Sequence, residues 1–144
     1  MSELPKKILV AVDGSANSDR AVDHVIARAK SGLVDEVHLV NVQYPVPSVV
    51  TTFVERKAVS GYHHEEGEKA VASAKAKLET ANISHQVHIG VGKPGETIVH
   101  FAKDIGCDAI VMGTRGLGGT AGLLLGSVTR DVKAEADIPI TLIK

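Results

Sequence analysis

Gly113-Thr114-Arg115-Gly116-Leu117-Gly118-Gly119-Thr120-Ala121-Gly122, followed by Leu123-Leu124-Leu125-Gly126-Ser127, is the stretch of this sequence best suited to chemistry. Glycines admit positive φ and let a ligand reach the main chain with no Cβ in the way. Ser127 is a good N-cap type, and Val128, Val132 and Ala136 follow it at helical spacing. A helix start offers unpaired N–H groups and partial positive charge, which suits phosphate oxygens. Arg115 adds a guanidinium for a charge-assisted contact. A glycine loop without a ligand is the alternative that local composition leaves open. The second polar stretch is Asp13-Gly14-Ser15, directly after a run of apolar residues.

Other residue groups point to chemistry less well. Gly90-Val91-Gly92-Lys93-Pro94-Gly95 has the form G-x-G-x-x-G, but Pro94 stiffens the turn. A tight helix-start turn is the better reading. Gly92-Lys93 lacks the earlier glycine and the Ser or Thr of a phosphate-loop lysine. His63-His64-Glu65-Glu66 suggests a metal, yet neighbours on a helix diverge by about 100°, so a solvated helix start is expected. Asp13 has no acidic neighbour, which argues against a phospho-acceptor. Gly14-Ser15-Ala16 is not a nucleophile elbow. Cys107 has no assignable base and reads as a small buried residue.

The elements that must position these groups alternate in period. Ile8-Leu9-Val10-Ala11-Val12 is a continuous apolar run, as in a strand covered on both faces. Ala21, Val22, Val25, Ile26 and Ala29 recur at helical spacing. Val37 to Val42 reads as a second strand. Val71, Ala74, Leu78 and Ala81 make a helical stripe after Tyr62. His85 to Val91 is a third strand, and Ile98, Phe101, Ala102 and Ile105 a third helix. Ala109 to Met112 is a fourth strand, and Ile138 to Ile143 a last one after the final helix. The order β-α-β-α-β-α-β-α-β predicts an α/β fold: an open five-stranded parallel sheet with right-handed crossovers and helices on both faces. In such a sheet, ligands sit beyond the carboxyl ends of the strands, where the strand order reverses. One connection is long: Tyr44 to Gly61, with Pro45, Pro47, Val49, Val50 and Phe53. A lid, a partner surface and a plain flexible loop all remain open there.

The 144 residues fit a single domain, 1–144, large enough to bury roughly 70% of its unfolded surface without metal or disulfide. Aromatics make up only 3% against 44% hydrophobic residues, so the core must be built from Val, Ile, Leu and Ala. Sixteen basic and seventeen acidic side chains leave a formal charge of −1, without the basic footprint that nucleic-acid binding needs. The lone cysteine favours a reducing compartment. The first apolar run is too short for a signal core or a membrane span, so a soluble cytoplasmic protein is expected.

Gly113-x-x-Gly116, nine residues, then Gly126-Ser127 is similar to the G-2x-G-9x-G-[S/T] pattern of ATP-binding universal stress proteins. Ile8 to Ser15, Gly92-Lys93-Pro94 and Asp108 to Gly113 also resemble that family, so the likeness spans essentially the whole chain. The resemblance implies a strand order 3-2-1-4-5, with the reversal between strands one and four. It implies ATP as ligand, with Mg²⁺ or Mn²⁺ bridging phosphate oxygens. Asp13 and Ala11 would contact ribose or adenine, and Asn41 or Val42 would line the adenine pocket. Met112, Gly113, Arg115 and Gly116 would run beside sugar and phosphates. Gly126, Ser127, Val128 and Thr129 would bind the phosphates. Some ATP-binding members carry proline where this chain has Ala11, and Thr141 interrupts the apolar last strand; neither position touches the phosphate loop.

The implied function is an ATP-binding regulatory protein in stress responses. No Walker B acid, catalytic base or water-positioning residue can be assigned, so at most weak ATP hydrolysis or autophosphorylation is expected. A different class of function is a homodimeric interaction module whose nucleotide is structural or absent. Ile138, Ile140 and Leu142 on the last strand would form its interface, since an open apolar edge invites pairing. A flavin enzyme is a poor third, with too few aromatics to stack an isoalloxazine.

Overall fold

The computed structural model describes residues 7–45, 53–114 and 127–144. Five strands and four helices alternate along it: β1 (Lys7–Ala11), α1 (Ala16–Lys30), β2 (Glu36–Gln43), α2 (Phe53–Thr80), β3 (His85–Val91), α3 (Pro94–Ile105), β4 (Ala109–Gly113), α4 (Ser127–Glu135) and β5 (Ile140–Ile143). All strand pairs are parallel, in the order β3-β2-β1-β4-β5, as expected from the alternation of elements and the family likeness. The central strand β1 registers Ile8 with Val37 on one side and with Ala109 on the other.

The continuous apolar runs are explained by coverage on both faces. Ile8, Val10 and Val12 point into one core with Ala21, Val22 and Val25 of α1 and Val71, Ala74 and Leu78 of α2. Leu9, Val40, Ile110 and Met112 point into the other, with Ile98, Val99 and Ala102 of α3 and Val132 of α4. Each buried Val, Leu, Ile or Met among them contributes roughly 1.5–3 kcal/mol by leaving water. Local signals set the helix ends. Ser15 caps α1, its hydroxyl accepting from Ser18 N–H at 3.1 Å. Pro94 opens α3, and Gly106, at φ 80°, closes it in the left-handed conformation. The Gly90 to Gly95 stretch is therefore a strand end and a helix start. A Cβ at Gly90 would press on the Phe101 ring at 2.6 Å, so packing accounts for that glycine.

Three expectations are corrected. Helix α2 begins at Phe53, so the 44–61 connection is shorter than the apolar pattern indicated. Lys57, Ala58, Ser60, Gly61 and Tyr62 are exposed, which leaves this turn of helix without an apolar stripe to read. His63 is buried, and its Nε2 lies 3.1 Å from the Tyr44 carbonyl; it is not part of a solvated helix start. The last strand starts at Ile140 instead of Ile138, because Pro139 has no N–H to give to a ladder. Its carbonyl still accepts from Ile110 N–H at 3.0 Å.

Cys107 is buried, as its lack of a partner suggested, and burial pushes its thiol up to about 11. Less expected is a polar chain on the α3 face of β2 and β3. Glu36 Oε1 lies 2.8 Å from His38 Nε2, and His38 Nδ1 lies 2.9 Å from His88 Nε2. His38 is 3% exposed, and the His88 ring tilts against Phe101 with centroids 5.6 Å apart. Burial, and then the neighbouring His38, holds His88 below its ordinary value of 6.5. The folded state thus takes up this proton less readily than the unfolded chain, so stability is full above about pH 6.5 and falls as the pH drops below it. Thermal melts of the wild type should show a decline between neutral and mildly acidic pH that His88→Gln flattens; parallel curves for the two proteins would exclude this origin.

Candidate functional site

The chain order reverses between β1 and β4, with α1 and α2 on one face of the sheet and α3 and α4 on the other, and it is beyond the carboxyl ends at such a reversal that open parallel sheets form a ligand crevice. The wall formed by β1 is a tight turn. Asp13 Oδ1 accepts from Ser15 N–H at 2.9 Å, and Asp13 N–H donates to Ser18 Oγ at 3.4 Å. Gly14 takes φ +84°, a conformation that favours glycine, and a Cβ there would lie 3.5 Å from the Ala70 carbonyl oxygen of α2. This turn holds the partly buried Asp13 at the mouth of the crevice.

Neighbouring strand ends supply the floor. Ala11, Val42, Met112 and Val128 gather in the core beneath α3 and α4. Asn41 faces the opposite side. Its Nδ2 donates to the Val12 carbonyl at 2.8 Å, and its Oδ1 accepts from Gln43 Nε2 at 2.5 Å. Of the two candidates at the end of β2, Val42 thus joins the apolar group, while Asn41 fastens β2 to the β1 exit.

The β4 side brings in the start of the last helix. Thr129, in the first turn of α4, is buried, and its hydroxyl donates to the Gly113 carbonyl at 3.3 Å. That bond seats the N-terminus of α4 directly over the exit of β4. Ser127 is exposed at that end. The first-turn N–H groups of a helix have no intrahelical partner, so this end is suited to oxygen acceptors. Arg115, Gly116 and Gly126 lie outside the described residues. Ala11, Asp13, Val42, Met112 and Gly113 stand at or just beyond the carboxyl ends of β1, β2 and β4, and Ser127, Val128 and Thr129 form the first turn of α4.

One contributor was missed from the sequence: Asn17, which lies under Gly113 and bonds to the end of β5. Asparagine in the first turn of a helix carries no signal of its own, because that residue type is ordinary there. A separate open groove of about 530 Å³, lined by Pro45, Val59, Ser60, His63, Ile89 and Val91, lies between α2 and the outer strand β3. Among the described residues no group of three or more His, Cys, Asp or Glu could hold a metal ion. No helix of the described residues is long and apolar enough to cross a membrane.

Residues 5–144 match the universal stress protein family. A universal stress protein of Thermus aquaticus is 34% identical over 139 residues, covering 96% of this chain and 98% of its own. Universal stress protein MJ0577 of Methanocaldococcus jannaschii is 32% identical over 161 residues, covering 100% of this chain and 98% of its own. The solved structure of MJ0577 superposes with a TM-score of 0.82 over 96% of this chain and 95% of that one. The universal stress protein from Archaeoglobus fulgidus in complex with dAMP is 25% identical, with a TM-score of 0.69 over 96% of this chain and 98% of that one. With the family pattern running through nearly every residue and the fold shared with these relatives, the chain belongs to the universal stress protein family.

Proposed function

We propose that this chain is a single-domain ATP-binding regulatory protein of stress responses, holding its nucleotide across the carboxyl ends of β1 and β4. The observation that carries this reading is the Thr129–Gly113 bond, which sets a helix N-terminus at the topological switch point. The structure of the Archaeoglobus fulgidus relative with dAMP supports an adenine nucleotide as the ligand class.

The donor set fits such a ligand. Asp13 offers carboxylate oxygen to ribose hydroxyls. Ala11, Val42 and Met112 offer an apolar wall to the base. Ser127 presents its hydroxyl, and Val128 and Thr129 present backbone N–H groups, to phosphate oxygens. The Thr129 hydroxyl hydrogen is spent on Gly113, so this residue would serve the ligand through its main chain. Arg115, Gly116 and Gly126 would complete the phosphate loop. Mg²⁺ or Mn²⁺ would arrive with the nucleotide and neutralise phosphate charge. The reading is of a binding protein, and no residue is assigned a catalytic role.

A second reading is favoured by β5. Pro139 and Ile143 direct their carbonyls at β4, so the alternating main-chain groups of Ile140 and Leu142 face away from the sheet. An outer edge with unpaired donors and acceptors is a template for a second strand. A homodimer joined through Ile138, Ile140 and Leu142 would use it.

Calorimetric titration of nucleotide-stripped protein should show micromolar binding of ATP with Mg²⁺, weaker binding of AMP, and no binding of ATP to Gly126→Val. A folded wild type that gives no heat at several temperatures, or a Gly126→Val variant of unchanged affinity, would remove the assignment. Sedimentation should give a dimer at tens of micromolar, and a monomer there would remove the edge-strand interface.

A further inference from the structure

We propose that Asn41 and Ser18 are positioning residues that clamp the Val12–Asp13 peptide group and so aim the Asp13 carboxylate at ribose hydroxyls, an inference that rests on the nucleotide reading above. The register of β1 with β2 ends at Ala11 and Val40. One further main-chain bond, from Val12 N–H to the Val40 carbonyl at 2.9 Å, closes that ladder. The next peptide group carries the Val12 carbonyl and the Asp13 N–H, and a side chain meets each end of it. Asn41 Nδ2 donates to the Val12 carbonyl at 2.8 Å. Ser18 Oγ accepts from Asp13 N–H at 3.4 Å. Asn41 and Ser18 are each 4% exposed, so both grip the peptide from inside the protein.

Both grips are themselves held. Asn41 Oδ1 accepts from Gln43 Nε2, which turns the amide end of the Asn41 side chain toward Val12. The Gln43 carbonyl in turn accepts from Gly92 N–H at 3.0 Å. On the other side, Ser18 N–H donates to Ser15 Oγ at 3.1 Å, and the Ser18 hydroxyl donates to the Ser15 carbonyl at 3.2 Å. That hydroxyl hydrogen is committed to Ser15, so Ser18 Oγ meets Asp13 as an acceptor. A planar peptide held at both ends fixes ψ of Val12 and φ of Asp13, the angles that orient Asp13 relative to the sheet. The Ser15 N–H bond to Asp13 Oδ1, at 2.9 Å, orients the carboxylate within its turn. The clamp orients the turn on the sheet, with one jaw from β2 and the other from α1. The shorter Asn41 contact is the stronger jaw.

A merely structural residue would change the affinity for every nucleotide alike, whereas a residue that aims Asp13 changes the discrimination for ribose hydroxyls. The test is the ratio of 2′,3′-dideoxy-ATP to ATP dissociation constants, both with Mg²⁺. Calorimetry gives it for the wild type, Asn41→Ser and Ser18→Ala, with Asp13→Ala as the reference without a carboxylate and thermal melts alongside. Alanine is the best helix former and removes only a hydroxyl, so Ser18→Ala keeps the test open if Asn41→Ser fails to fold. The wild type should bind ATP about tenfold more tightly than the dideoxy nucleotide. The ratio should fall to within about twofold of one in Asn41→Ser and to about threefold in Ser18→Ala, with dideoxy-ATP affinity within about twofold of wild type. An unchanged ratio in either folded variant, whatever happens to overall affinity, would overturn the clamp. A wild type that binds both nucleotides equally would remove Asp13 from ribose recognition, and the clamp's role with it. A wild type that binds neither would instead overturn the nucleotide reading itself.

Discussion

The parallel pairing of β1 with β4 is the constraint on which the rest of this structure depends. Its register, from Ile8 with Ala109 to Ala11 with Met112, fixes where the two strands end relative to each other. Everything beyond those ends is an attachment to that pair. The Asp13 turn hangs from β1, the glycine-rich loop leaves from β4, and α4 returns to rest on Gly113 through Thr129. Because the pair is central and buried on both faces, a slip by one residue would turn Leu9 and Val10 into the wrong cores. The strand ends are thus held in place by apolar packing, most of which lies deeper in the sheet than the ends themselves.

The alternation of periods made the sheet readable in advance, since parallel strands covered on both faces and amphipathic crossovers leave distinct apolar patterns. The first four strands lie where those patterns placed them, within a residue or two. Reading failed where burial gave no pattern. The start of α2 has exposed alanine, serine and glycine and no stripe. The last strand was read two residues too long, since Ile138 is apolar for packing and Pro139 forbids its pairing.

At the candidate site, the residue types that draw attention in the sequence are those with a chemical signature: the glycines, Asp13, Ser127. Residues that act by reach across the fold draw none. Asn17 meets Ile143 across 126 positions, and His38 meets His88 across 50. Such pairs depend on strand order and register together, and no local spacing encodes them. The Glu36–His38–His88 chain shows the consequence in the sheet. Two imidazoles whose nitrogens lie 2.9 Å apart cannot both carry a full charge without strong repulsion, so the β2–β3 pair contains a group that resists protonation.

Gly95 and Asp131 bring α3 and α4 into closer apposition than two ordinary side chains would allow. A methyl group on Gly95 would overlap the Asp131 Cβ. The first turn of α3 therefore lies directly against α4, and no side chain fits at position 95 without moving Asp131. Farther along α3, Ile98, Val99 and Phe101 pack in the same core as Val128 and Val132 of α4. A side chain at position 95 would thus act at a distance, displacing the helix whose first turn bonds to Gly113.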